Sequence, residues 1–335
     1  MADISRVLLA GTALFAALPV LAQTPAPQEA DPAGTFAFLL ENDTFSGNDR
    51  YYTNGFLFAW RAPSYDPPAW LARLTEGPNL FFPGGGVTRW GLSFGQKKFT
   101  PEDTLATNPD PKDRPYAAWL YGAVTLHSYT PRELGTLELQ LGVVGPSALG
   151  EWVQNTTHDL MRIDRAYGWD YQIRDEPGIN LVTNRQWRMN GEPDSGGRRF
   201  GLVPSLAASL GNVHTYAAAG MLLRYGTELE ADFGPPRVRP VSAGSIFFQP
   251  TGRFGWYVFG GVEGRAVARD ISLDGNTWRD SRSVDREVLV GDASLGFALI
   301  FSSTRLTATY TIRSKEFETQ REASQFGSLS IAFRF

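Results

Sequence analysis

The chain has 335 residues, a net charge of −4, three histidines and no cysteine, which excludes disulfide scaffolds, Cys-ligated zinc, iron–sulfur clusters and thiol nucleophiles. So small a negative charge gives no electrostatic basis for binding nucleic acid. Aromatic residues at 13 %, with 35 Gly and 22 Pro, favour strands and turns over long helices; the mean hydropathy of −0.22 leaves room for a membrane barrel, whose strands alternate polar and apolar residues.

At the start, Arg6 precedes an apolar run from Val7 to Leu21 that ends in Val20-Leu21-Ala22. This is the pattern of a secretory signal over residues 1–22, cleaved after Ala22. Residues 23–34, with their Pro and Ala, read as a flexible lead-in, and 35–335 as an outer-membrane β-barrel. No other window is apolar for long enough to span a membrane as a helix.

From residue 35 a two-residue period takes over. Twelve strands are predicted at about 35–43, 51–61, 88–99, 116–128, 134–145, 179–189, 198–211, 214–228, 253–269, 286–302, 304–318 and 324–335. The last is the clearest: Leu329, Ile331, Phe333 and Phe335 alternate with Ser328, Ser330, Ala332 and Arg334. One wholly apolar face opposite a small or polar one suits lipid outside and a polar interior. Leu306, Ala308, Tyr310 and Ile312 repeat the pattern, as do Leu137, Leu139, Leu141 and Val143. The fold class is therefore all-β, a twelve-stranded antiparallel transmembrane barrel; an even number closes a single-chain barrel, and about ten residues span the bilayer when tilted. Between the fifth and sixth strands, residues from Ser147 to about Asp164 follow helical spacing, giving a short extracellular helix with Ser147 as its N-cap.

With both termini in the periplasm, odd-numbered strands end at the cell exterior, so the ends of strands one, three and five share the outer rim with the helix. Residues 62–87 and 230–252 then become long periplasmic connections, where short ones are usual. Inward Glu138, Glu263, Arg265, Asp292 and Arg305 are expected to form an ion-pair network filling the barrel. His127 and His214 read as solvated or rim histidines.

The outer rim gathers Glu41-Asn42-Asp43, Tyr52-Thr53-Asn54-Gly55, Asp113-Arg114-Pro115-Tyr116, Gly142-Val143-Val144-Gly145-Pro146, Gln154-Asn155 with His158, and Gly168-Trp169-Asp170 with Gln172. Asn, Asp and Gly at strand ends are ordinary turn chemistry, but their order and spacing resemble the outer-membrane lipid A 3-O-deacylase family, from about residue 36 to the C-terminus. The resemblance implies a barrel in the bacterial outer membrane that hydrolyses the 3′-acyloxyacyl ester of lipid A in the outer leaflet, with calcium as its cofactor. Lipopolysaccharide is then the partner and substrate, and a monomer is expected. Carried onto this sequence, the family's site falls on Asn42, Asp43, Thr53, Gln154, His158 and Asp164. Thr53 shares parity with the inward Gly55 and Ala59. The family's lysine has no secure match among Lys97, Lys98 and Lys112; Lys97, with inward parity, is the choice.

The chemistry is coherent. A neutral His158 can take a proton from water, with Asp164 or another carboxylate fixing its tautomer. Calcium favours oxygen ligands such as those of Asp43 and Asn42 and would polarise the ester carbonyl. The excess of Arg (27 against 4 Lys) suits phosphorylated lipid A and a barrel interior equally. Two other readings stay open: a non-enzymatic barrel (a small channel or an inactive family member), and a phospholipase of the Ser–His type, with Ser46 or Ser147 as nucleophile.

Overall fold

The computed structural model describes residues 29–43, 51–64, 67–236 and 245–335, the side chains of 51–53 excepted. The signal segment and residues 23–28 lie outside the described residues. Twelve strands run β1 (Thr35–Asn42), β2 (Tyr51–Arg61), β3 (Val87–Thr100), β4 (Ala117–Tyr129), β5 (Glu133–Val144), β6 (Glu176–Trp187, with a two-residue continuation at Met189–Asn190), β7 (Arg199–Gly211), β8 (His214–Gly226), β9 (Phe254–Asp270), β10 (Leu289–Phe301), β11 (Thr304–Arg313) and β12 (Ser324–Arg334). Sequential neighbours pair antiparallel and β1 pairs with β12, so the sheet closes on itself without an edge. Helices α1 (Ala69–Ala72), α2 (Gly150–Met161) and α3 (Ile271–Asp274) lie in the connections.

The alternation read from sequence is the alternation of burial. In β12, Ser328, Ser330 and Ala332 are buried while Leu329 and Phe333 are exposed; in β11, Thr307, Thr309 and Thr311 are buried while Tyr310 and Ile312 are exposed. Lipid meets the apolar face. The start of β1 and the C-terminal Phe335 sit at one end, where Gly34 N donates to Phe335 O at 3.0 Å; the opposite end is the outer rim. The expected lead-in is firm where it meets the barrel: Asp31 is buried and paired with Arg89 at 2.7 Å and Arg334 at 2.8 Å. A buried carboxylate persists only with such partners.

The interior is filled as the inward charges suggest. In the outer half, Asp292 pairs with Arg265 (3.1 Å) and Arg313 (2.5 Å), and Glu316 with Arg313 (3.2 Å) and Arg114 (3.3 Å). In the inner half, Asp232 holds Arg224 at 2.9 Å and Arg305 at 2.7 Å, with all three side chains fully buried. His127 belongs to this interior. It is buried, its Nε2 accepts from Arg61 Nε at 3.1 Å, and its Nδ1 meets Thr136 Oγ1 at 2.9 Å; its inward parity overrides its place near a strand end. His214 does sit at the outer rim, 3.7 Å from Asp270.

The two long inner-end connections are now accounted for. The one after β8 folds back into the lumen, bringing Asp232, Phe233, Phe247 and Phe248 into the buried core. The one between β2 and β3 turns outward and packs Leu71 and Phe82 against Leu126 on the outside of the wall. At the other end α3 and its loop cross the mouth, where Arg114 reaches Ser272 (3.1 Å) and Arg282 reaches Asn108 (3.0 Å).

Candidate functional site between the barrel wall and helix α2

At the outer end of β3 the alternation of exposure stops. Leu92 and Phe94 are exposed, but Gln96, Lys98 and Thr100, which continue the same outward series, are buried, as are the inward Lys97 and Phe99. A strand buried on both faces has something covering its lipid side. The cover is the connection from β5 to β6. Gln96 Nε2 donates to Ala148 O at 2.6 Å, and a Cβ built on Gly150 would lie 2.6 Å from Ala118 Cβ on outward β4. Only glycine lets α2 approach this closely. Trp169, Ala148 and Ala166 complete a small apolar cluster with Tyr116 and Ala118, resting on Leu120 and Val143 of the outward wall.

Gly150, Gln154 and His158, spaced four apart, form the stripe of α2 buried toward the barrel. The exposed residues are mixed: Trp152, Leu160 and Met161, at 65 %, 84 % and 54 %, stand with Glu151, Thr156 and Asp159. The expected N-cap, Ser147, is engaged elsewhere, its Oγ donating to Asp175 at 2.9 Å. Leu149 occupies the cap without a side-chain bond, and both Leu149 and Arg162 at the two ends adopt positive φ of 59°. Such left-handed residues cost about 1–2 kcal/mol each and are held here by the surrounding bonds.

Those bonds also set the histidine. His158 Nδ1 lies 2.5 Å from the backbone O of Asp164. A carbonyl only accepts, so Nδ1 carries a proton, and in the neutral ring the lone pair is on Nε2. The tautomer is thus fixed by the Asp164 carbonyl rather than by a carboxylate; the Asp164 residue is exposed. Asn155 ties the return segment down by a reciprocal pair with Ala166 (2.9 and 3.2 Å), and Gln154 Oε1 accepts from Trp169 Nε1 at 2.9 Å. Two buried amide atoms aimed at this interface, Gln96 Oε1 and Gln154 Nε2, have no hydrogen-bond partner among the described residues. The exposed Arg165 guanidinium, at 2.5 Å, holds the Asp159 carboxyl below its ordinary range.

The wall opposite α2 carries a polar row. Asn42 of β1 pairs in register with Asn54 of β2, Asn54 with Lys98 of β3, and Lys98 with Ala118 of β4, which touches the helix. With neighbouring strands about 4.8 Å apart, Asn42 and Lys98 are about 10 Å apart along this row. Asn42 continues the outward series of Phe36, Phe38 and Leu40, and Asp43 follows it, buried in the turn after the strand.

Of the residues inferred from sequence, Gln154 and His158 lie on the buried stripe of α2, the Asp164 carbonyl meets His158, and Asn42 stands on the outward row of the wall with Asp43 buried in the turn after it. Lys97 points into the lumen as its inward parity suggests, its Nζ 5.8 Å from the Tyr121 ring centroid. Its neighbour Lys98 has outward parity and lies on the row beside α2. The side chain of Thr53 lies outside the described residues; a bulge between Tyr51 and Asn54 breaks the alternation used to orient it. Ser46 also lies outside the described residues. Ser147 precedes the helix, more than two turns from His158, and is bound to Asp175.

Comparisons with known proteins agree with this architecture. The family model "Outer membrane protein LpxR" matches residues 8–335. Among solved structures, LpxR from Salmonella typhimurium is 21 % identical and superposes with a TM-score of 0.72, covering 90 % of this chain and 100 % of that one. The β domain of the Bordetella autotransporter BrkA (7 % identity, 91 % and 99 % coverage, TM-score 0.42) and the translocator domain of NalP from Neisseria meningitidis (10 %, 91 % and 89 %, 0.37) are general barrel likenesses. No curated protein matches the sequence. A closed twelve-stranded outer-membrane barrel with a helix strapped to its outer face, matched over almost its whole length by this family model, belongs to the LpxR outer membrane protein family.

Proposed function

We propose that the protein is a lipid A deacylase that hydrolyses the 3′-acyloxyacyl ester of lipid A in the outer leaflet. One observation carries the reading: a buried histidine, its Nδ1 bound to the Asp164 carbonyl, lies on the buried face of a helix that packs on the lipid-facing wall, beside a polar row through Asn42, Asn54 and Lys98. An acyl chain in the leaflet can reach such a site sideways without entering the lumen.

In this mechanism His158 Nε2 takes a proton from a water molecule as that water adds to the ester carbonyl. The imidazolium is stabilised through Nδ1–H and the Asp164 carbonyl. It then returns the proton to the departing 3′-oxygen, leaving the free acyloxyacyl fatty acid and a 3′-hydroxyl. Gln154, anchored by Trp169, positions the helix face, and Lys98 places a cation on the wall side of the reacting ester.

The residues present suit calcium. Asp43 and Asn42 offer hard oxygen donors of the kind calcium accepts, to which backbone carbonyls and water would add. Asp43 and Asn42 would hold the ion, which when bound supplies Lewis-acid polarisation of the carbonyl.

The test is mass spectrometry of lipid A from cells expressing the wild type or His158→Ala. Loss of the acyloxyacyl group with the wild type alone supports deacylation. Unchanged lipid A with the folded wild type refutes it. A lumen filled with buried ion pairs supports this reading over a channel, and Ser147, the described candidate for a Ser–His pair, is bonded to Asp175 and precedes the helix that carries His158.

A further inference from the structure

We infer that the β2–β3 connection at the inner end is an interfacial anchor seated in the phospholipid of the inner leaflet. It is an unusually long inner-end connection, and its helical pieces, α1 and the 3-10 turn Arg73–Thr75, lie against the outside of the wall. It is firmly docked. Thr75 Oγ1 meets Thr88 Oγ1 at 2.5 Å, Arg185 donates to Asn79 O at 3.2 Å, and a Cβ on Gly135 would fall 2.2 Å from Phe81 O. With Leu71 and Phe82 used for docking, the segment turns Trp70, Leu74 and Leu80 away from the barrel, 66 %, 51 % and 81 % exposed.

The level at which these side chains stand identifies the occupant. An outer-membrane barrel presents an apolar band about 25 Å tall, and a strand tilted by about 40° climbs roughly 2.5 Å per residue along the normal. Counting down from Lys98, where the polar row marks the outer boundary, about ten residues of β3 reach Thr88. That is the residue to which Thr75 is bonded. The wall carries aromatic pairs of an interfacial girdle at its inner end, Trp60–Trp90 at 5.2 Å beside the segment and Tyr225–Trp256 at 6.3 Å on β8 and β9. The exposed Trp and Leu side chains are therefore continuous with the lipid-facing belt, at its inner margin. Exposed Arg73 on the same turn can reach the phosphates while its stem stays among the chains. An aqueous setting would leave three large apolar side chains in water on a rigid segment, which soluble surfaces avoid. The inference rests on the membrane-embedded barrel alone and stands whether or not the protein is a deacylase.

The chain has no cysteine, so single spin labels can be introduced directly. Trp70→Cys and Leu80→Cys would be labelled in the otherwise unaltered protein in phosphatidylethanolamine–phosphatidylglycerol vesicles. Leu92→Cys on the lipid belt and Gly196→Cys in an exposed inner-end turn serve as references. Folding is verified by heat-modifiable migration, and both test positions are exposed, so neither substitution removes packing. The expected result is an oxygen-to-nickel-chelate collision ratio at residues 70 and 80 severalfold above that at 196 and approaching that at 92. A ratio at both positions equal to that at 196 would overturn the anchor.

Discussion

Replacing Gly150 by alanine should cripple the proposed reaction without unfolding the barrel. The new methyl would sit 2.6 Å from Ala118 Cβ and 2.6 Å from Trp169 Cη2, where carbon atoms ordinarily stop at 3.5–4.0 Å. The helix must retreat from the wall by about 1 Å, since Trp169 is buried and the strand is locked in the sheet. Alanine is intrinsically better than glycine in a helix by about 1 kcal/mol, whereas overpacking costs about 1–3 kcal/mol, so net stability should fall by no more than about 2 kcal/mol. The rate is more sensitive, because a displacement of about 1 Å at a catalytic group can cost about 10²-fold. Purified variants in lipopolysaccharide-containing vesicles, with released fatty acid quantified over time, give that ratio directly; heat-modifiable migration reports folding. Ala118→Gly in the same chain removes one of the two clashes and should restore part of the rate. A folded Gly150→Ala protein that turns over within a factor of about two of the wild type would refute the claim that α2 must touch the wall.

The two adjacent lysines should separate cleanly: Lys98→Met is expected to lower deacylation by about 10²-fold, as loss of a transition-state donor does, while Lys97→Met, altered only in the lumen, should stay within a few-fold in the same assay. Chelation by EDTA should abolish fatty acid release and calcium should restore it, with Asp43→Asn shifting the calcium titration to higher concentration. Asp232→Ala strands Arg224 and Arg305 in the core; breaking a buried pair costs about 3–5 kcal/mol, to be read as a lower urea midpoint in vesicle-refolded protein, with lipid A processing little changed.

Much of this was legible because a barrel writes its fold in a period of two. Leu329 and Phe333 against Ser328 and Ser330 identified the lipid face without any knowledge of the partner strands. The same rule put Lys97 in the lumen and left Lys98 on the outward face, which the connection from β5 to β6 covers. Alternation distinguishes the two faces, but it does not say which face a loop will later cover, and that information sits some fifty residues on, at Gly150. The helix was legible from the spacing of Leu149, Val153, Leu160, Met161 and Ile163, yet the residues it buries are Gly150, Gln154 and His158. The second long inner-end connection could not be oriented from sequence, because its destination depends on Asp232 finding Arg224 and Arg305 on distant strands.

Strapping a helix to the outside of a barrel changes what a lipid must leave behind to be processed. Drawing an acyl chain out of the bilayer into an aqueous pocket costs about 0.8 kcal/mol for each methylene, so a dozen of them raise a barrier of about 10 kcal/mol before any bond is broken. In the proposed reaction, a site on the outer face of the wall would leave the chains where they are and move only the ester. Encounter would then depend on how many lipids border the wall, with the aqueous concentration of substrate irrelevant.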